Sequence, residues 1–110
     1  MKSRPVILRA QADRDVDEAL AHYLDEAPES VAMGFIDALA AALAHIGRHP
    51  DTGSPRHAQA LDLPGVRSWP LSRYPFLVFY VAHADHVDVW RVLHGHRDIP
   101  ASLREPEDAP

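Results

Sequence analysis

Hydrophobic and polar positions change period twice along this chain. Residues 4–9, "RPVILR", form a short β-branched run and predict a first strand. Val16, Ala19, Leu20, Tyr23 and Leu24 then recur at helical spacing. Ahead of that stripe, Asp13 or Asp15 is placed to cap the helix, and Asp15 with Glu18 has capping-box spacing, Asp standing in for Ser or Thr. Pro28 interrupts the helix and suits the first turn of the next. Ala32, Phe35, Ile36, Leu39, Leu43 and Ile46 mark one face of a second helix over about 29–46. Gly47 is placed to end it in a left-handed conformation, with His49-Pro50 beyond. Two helices joined by so short a link pack as an antiparallel hairpin.

After Pro50 the helical period disappears. Residues 50–65 hold three prolines and two glycines and predict a loop. Three strand-like runs follow: Val66 to Leu71, Phe76 to Ala82 and Val87 to Leu93. Pro70 assigns the first to an edge or a bulge, and the apolar "FLVFYVA" assigns the second to the centre. The expected fold is α+β with the order β-α-α-β-β-β, a helical hairpin packed on one face of a small, mainly antiparallel sheet. A chain of 110 residues supplies one core. Residues 1–103 are read as a single domain, and 104–110, "REPEDAP", as an acidic, Pro-containing tail.

Charge and composition narrow the function classes. Eleven basic against sixteen acidic residues leave a formal charge of −5. Neutralising phosphates supplies most of the affinity of a nucleic-acid binder, so this balance argues against direct sequence-specific nucleic-acid binding. There are no cysteines, which excludes disulfides and thiolate metal sites and fits a reducing, cytoplasmic compartment. No leader pattern opens the chain and no segment reads as a membrane span.

The candidate chemistry gathers at the end of the last strand. His94 and His96 straddle Gly95 and run into Arg97 and Asp98. With Arg91 they form a set able to supply an acid, a base and a phosphate clamp for RNA cleavage. Against that, Arg91 and His94 are an odd number of residues apart, so a regular strand points them to opposite faces. Arg67 and Arg73 bracket the first of the three late strands and are suited to recognising carboxylates or phosphates. His83, His86, His94 and His96 match no zinc framework, and no metal or other cofactor is expected. Asp13, Asp15, Asp17 and Glu18 are accounted for by the dipole of a helix's first turn and are assigned no chemistry. Trp69 and Trp90 are read as packing residues. These residues alone describe a small α+β interaction domain, with a nuclease as the alternative.

Four segments carry a resemblance to a known family: Pro50-Asp51-Thr52-Gly53, "LPGVRSWPL", "RYPFLVFYV" and "VWRVLHGHRDI". With the opening "ADRDVDEALAHYLDE", they resemble the ParE branch of the RelE/ParE toxin superfamily, in order over about residues 4–103. The resemblance implies the toxin of a type II toxin–antitoxin pair, a plasmid-stabilisation protein silenced by a ParD-like antitoxin with a ribbon-helix-helix DNA-binding end. ParE members poison DNA gyrase and block replication, whereas RelE members cut messenger RNA on the ribosome. RNA-cleaving members place an arginine in the strand corresponding to "FLVFY", and this chain has none there. The resemblance therefore implies a gyrase inhibitor that is not an enzyme. Its target-binding residues are expected to be Arg67, Arg73, Arg91, His94 and Arg97. The alternatives are a RelE-like ribonuclease using His94, His96, Arg91 and Arg97, or a homologue that binds antitoxin without toxicity.

Overall fold

The computed structural model describes residues 3–60 and 62–95. His96, Arg97 and the segment read as a tail lie outside them. The elements are β1 (Val6–Leu8), α1 (Ala10–Glu26), α2 (Glu29–Arg48), α3 (Arg56–Ala60), β2 (Val66–Pro70), β3 (Phe76–Ala82) and β4 (Val87–His94). The sheet runs β1-β4-β3-β2. Its three later strands pair antiparallel, as adjacent strands joined by short turns must. β1 lies parallel to β4, with Val6 opposite Val87 and Leu8 opposite Val89, so the chain's start closes against its last strand.

The helical hairpin covers one face of this sheet. Ala12 and Ala19 of α1 and Phe35, Leu39, Ala42 and Ile46 of α2 pack with Val78, Tyr80, Val87, Val89 and Val92 in one buried cluster. Burying each large apolar side chain contributes about 1.5–3 kcal/mol, so this layer contact is what holds the helices to the strands. Tyr23, Phe35, Tyr74 and Phe76 close the end of the layer near the hairpin turn, with ring centroids 5.3–6.3 Å apart in mostly edge-on contacts. There Tyr74 anchors the β2–β3 turn to α2 by donating its hydroxyl to the Val31 carbonyl at 2.7 Å.

Four details differ from the expectation. First, α1 begins at Ala10 directly after β1, with no side-chain cap from Arg9. Asp15 therefore sits inside the helix, on its buried face, and does not cap it. Second, α2 runs past Gly47 to Arg48. Gly47 is helical, and a Cβ there would lie 2.9 Å from the Arg4 carbonyl. The glycine lets the lead-in to β1 cross α2 closely, where Arg4 N–H donates to the Gly47 carbonyl at 2.9 Å. Third, the Pro-rich connection contains the short helix α3, whose His57 lies against the Phe79 ring at 5.4 Å. Phe79 packs with Leu93 and Leu77 in a second, smaller cluster on the face away from the hairpin. Fourth, α2 is long and apolar enough by composition to cross a membrane. Here Phe35, Leu39, Ala42 and Ile46 spend its apolar face on the sheet.

Two irregularities shape the strands. In β4 an extra residue interrupts the ladder: Arg91 opposes Phe79 while Val89 opposes Tyr80, leaving Trp90 without a partner. Val87 and Val89 before the bulge and Val92 after it share the hairpin-facing core, while Leu93 turns to the other face. The second irregularity lies at β2, which is an edge strand as Pro70 required. Ser54 exchanges both backbone hydrogen bonds with Ser68 on the strand's outer side, at 2.8 and 2.9 Å, and Val66 N–H donates to Leu63. Pro70 has no N–H to offer. The outer edge of β2 is thus closed to a further strand.

Candidate target-binding surface

The residues expected to form one rim do not form one. Arg91 is 4 % exposed. Its Nε donates to Asp15 Oδ2 at 2.8 Å and its Nη2 to Asp15 Oδ1 at 2.9 Å. Asp15 Oδ2 also accepts the Val92 backbone N–H at 3.0 Å. This fork ties α1 to the bulge of β4 inside the core, so the expectation of Arg91 on a target-binding surface is corrected. The physical reason is mutual: a buried guanidinium needs a carboxylate, and Asp15 is the one that the inward face of α1 provides.

Arg67 is half-buried and points toward the hairpin side of β2. Its Nη1 donates to the carbonyls of Gly53 at 2.8 Å and Asp51 at 3.2 Å. From the neighbouring strand the Tyr80 hydroxyl donates to the Pro50 carbonyl at 2.8 Å and accepts from Gly53 N–H at 2.9 Å. Together they pin the Pro50-Asp51-Thr52-Gly53 turn, and Gly53 leaves no room for a Cβ beside that hydroxyl. Burial pushes the Tyr80 phenol above its ordinary pKa, while the Gly53 N–H and Arg67 pull the other way. The phenol keeps its proton at neutral pH and can donate. Arg67 therefore orders a loop.

Arg73 and His94 are brought to the same end of the sheet. Arg73 is exposed in the β2–β3 turn and holds a left-handed backbone, φ 70°. His94 is half-buried opposite Phe76, with its ring edge-on to that phenyl at 5.3 Å. Gly95 N–H donates to the Pro75 carbonyl at 2.7 Å, which fixes where β4 leaves the sheet beside that turn. Arg97 and His96, the remaining expected members, lie outside the described residues. Arg73 and His94 are thus the exposed and half-exposed survivors of the expected set, while Arg67 sits toward the opposite end of β2.

Sequence reasoning missed a second arginine–carboxylate site on the open face of the sheet. Arg9 Nε and Nη2 donate to Asp88 at 2.8–3.2 Å. Its guanidinium also lies over the Trp90 ring, 4.6 Å from the centroid. Trp90 Nε1 donates to Asp88 Oδ2 at 3.1 Å. Ile7, 55 % exposed, lies beside this group, since it pairs with Asp88 across the β1–β4 ladder. Arg and Trp held rigid next to an exposed aliphatic side chain are the residue types that anchor protein interfaces. Among the described residues, no group of three or more His, Asp or Glu is placed to hold a metal ion. His83 and His86 stack at 4.5 Å, and a hydrogen bond from His86 draws Asp85 below its ordinary pKa.

Comparison with known proteins places these observations. The family model described as the ParE toxin of the type II toxin–antitoxin system parDE matches residues 6–99. A solved chain of the chromosomal ParDE toxin–antitoxin system from P. aeruginosa superposes with a TM-score of 0.70 at 18% identity, covering 84% of this chain and 96% of that one. At that identity the likeness speaks for the fold. No curated protein matches the sequence.

Proposed function

Since the chain belongs to the ParE toxin family of type II toxin–antitoxin systems, we propose that it inhibits DNA gyrase, blocks replication and is neutralised by a cognate antitoxin. The observation that carries the choice of target is the fate of the arginines around β3. The strand itself, Phe76–Ala82, has no cationic side chain. The arginines opposite it on the two adjoining strands are both engaged, Arg91 with Asp15 inside the core and Arg67 with the Gly53 and Asp51 carbonyls. Cleaving a phosphodiester requires preorganised cations at the developing charge, with an acid and a base within hydrogen-bond reach. Arg67 and Arg91 hold the protein's own groups, which argues against such a centre on β3. The same fold is well suited to holding a protein target, because its exposed features sit on rigid strands and tight turns.

In vitro supercoiling and cleavage assays test this directly. Purified protein is expected to inhibit gyrase supercoiling and to leave gyrase-dependent double-strand breaks. Unchanged supercoiling with no breaks overturns the reading. New ribosome-associated messenger RNA ends on induction, lost in a His94→Ala/His96→Ala double variant, would establish the ribonuclease instead.

A further inference from the structure

The two edges of the sheet are not alike. β2 is closed along its outer side by the Ser54–Ser68 bridge and by Pro70. β1, at the other edge, is open. In its parallel ladder with β4, Val87 N–H donates to the Pro5 carbonyl at 2.8 Å and Arg9 N–H to the Val89 carbonyl at 3.0 Å. That pattern turns the backbone groups of Ile7 toward β4 as well, so those of Val6 and Leu8 point away from the sheet. Among the described residues, nothing pairs with the outward N–H and C=O groups of Val6 and Leu8. The side chains of these two residues pack on the core, while Ile7, 55 % exposed, stands on the open face beside Asp88.

An edge of this kind is a template for another strand, and its pattern fixes what fits. In an antiparallel pair, positions that exchange both backbone bonds alternate with positions that exchange none. A matching strand therefore offers two outward-facing residues on either side of one that faces inward, with an apolar side chain at that middle position to cover Ile7. β1 has this pattern itself. Turned by a twofold axis through Ile7, Val6 lies across from the partner's Leu8 and Leu8 across from the partner's Val6. Every outward N–H then meets an outward C=O. The unbonded position brings the two Ile7 Cα atoms to about 4.5 Å, so the side chains touch on the open face.

Charge favours this register. Arg9, already neutralised by Asp88, comes across from the partner's Pro5. Arg4 comes across from the start of the partner's α1, whose first turn is acidic at Asp13. Closure follows from the other edge: once β1 meets β1, the joined sheet ends on β2 at both sides, and both ends are closed, so growth stops at two chains. We propose that this chain self-associates through β1 into a twofold dimer, with one sheet running through both four-stranded halves. With three residues on each edge, the contact belongs at the small end of specific interfaces, below about 1,200 Å², and the dimer is reversible, with a dissociation constant in about the micromolar range. Pairing sets two Arg9–Trp90 groups on one face, so a macromolecular target meets the same rigid patch twice. It depends neither on the choice of target nor on an antitoxin.

The test is sedimentation velocity of the purified full-length chain, from about 1 to about 500 µM. Wild type is expected to pass from monomer to dimer over that range. Amide exchange read by NMR adds the location: the Val6 and Leu8 amides should exchange several-fold more slowly as the dimer forms. Ile7→Lys sets two like charges at the twofold axis and is expected to weaken association by about tenfold or more. Val6→Pro removes an outward N–H and no bond to β4, and is expected to weaken it by about tenfold. Met33→Lys, the same kind of change at an exposed position on α2, is the control and should associate as wild type does. Thermal melting establishes that each variant folds, and Ile7→Lys decides alone if Val6→Pro does not fold. A monomer at every concentration would overturn the dimer. A dimer whose Val6 and Leu8 amides stay unprotected, or one that the folded variants leave unchanged, would overturn its assignment to β1.

Discussion

Two arginine–carboxylate pairs join the start of the chain to β4, on opposite faces of the sheet, and they differ in almost everything but chemistry. Arg91–Asp15 lies in the core, with side-chain exposures of 5% and 3%. Arg9–Asp88 lies at the surface, at 38% and 16%, with Trp90 beneath the guanidinium. Both are forked, and both have a contact near 2.8 Å. The difference teaches that geometry alone does not rank an ion pair. In the core, each ion has given up its water and depends on the other. At the surface, solvent and salt compete for both partners.

The largest effect should follow from breaking the buried pair. Asp15→Ala leaves Arg91 and the Val92 N–H without their acceptor, and urea denaturation is expected to show a loss of about 3–5 kcal/mol. Replacing both ions, as Asp15→Leu with Arg91→Met, should recover much of that loss, because no uncompensated charge stays buried. A double variant no more stable than Asp15→Ala would mean that the fork contributes more than mutual compensation. At the surface, Asp88→Asn should cost no more than about 1 kcal/mol. The difference from wild type should shrink in 1 M salt, where the Debye length is about 3 Å, while the cost of Asp15→Ala hardly changes. Comparing the two variants in low and high salt is the cleanest way to separate the sites.

The smallest effect belongs to α3. Burial against Phe79, and then the neighbouring Arg56, lower the pKa of His57 from 6.5. A histidine with a depressed folded pKa binds fewer protons folded than unfolded, so its contribution is complete above about pH 6.5 and is lost as pH falls toward the folded value. Melting temperature should therefore decline slightly from pH 7 to pH 5.5. His57→Gln should flatten that part of the profile without removing the steeper loss at lower pH, where carboxylates such as Asp85 protonate. An unchanged slope would show that other groups set it.

The order of elements was readable because each one repeats a single period: β3 begins and ends where its apolar run does, and the two helices follow their stripes. The parallel closure of β1 on β4 was not readable, since no local pattern relates residues 81 positions apart, as in Val6 and Val87. The site was less legible for a related reason. Asp15 lies on the same helical face as Ala12 and Ala19, and Arg91 stands alone among the apolar residues of "VWRVL". Each is a lone charge inside an apolar pattern, with opposite signs, and that was the available signal of a buried pair. Reading Asp15 as a helix cap and Arg91 as a rim residue treated each charge by its neighbours in sequence. The helix α3 went unseen because one turn among three prolines carries no period.

The bulge at Trp90 also constrains how relatives of this chain can differ. One residue removed there would restore the ordinary alternation and leave Val89, Val92 and Leu93 on the faces they now occupy, because the register against β3 already skips Trp90. Ironing out the bulge with every residue kept is what would turn the end of β4 inside out, sending Leu93 toward the helices and Val92 away from them. That change would have to be answered by compensating exchanges across both layers, whereas a comparison with an unbulged relative that places its gap at Trp90 keeps inward and outward positions matched downstream.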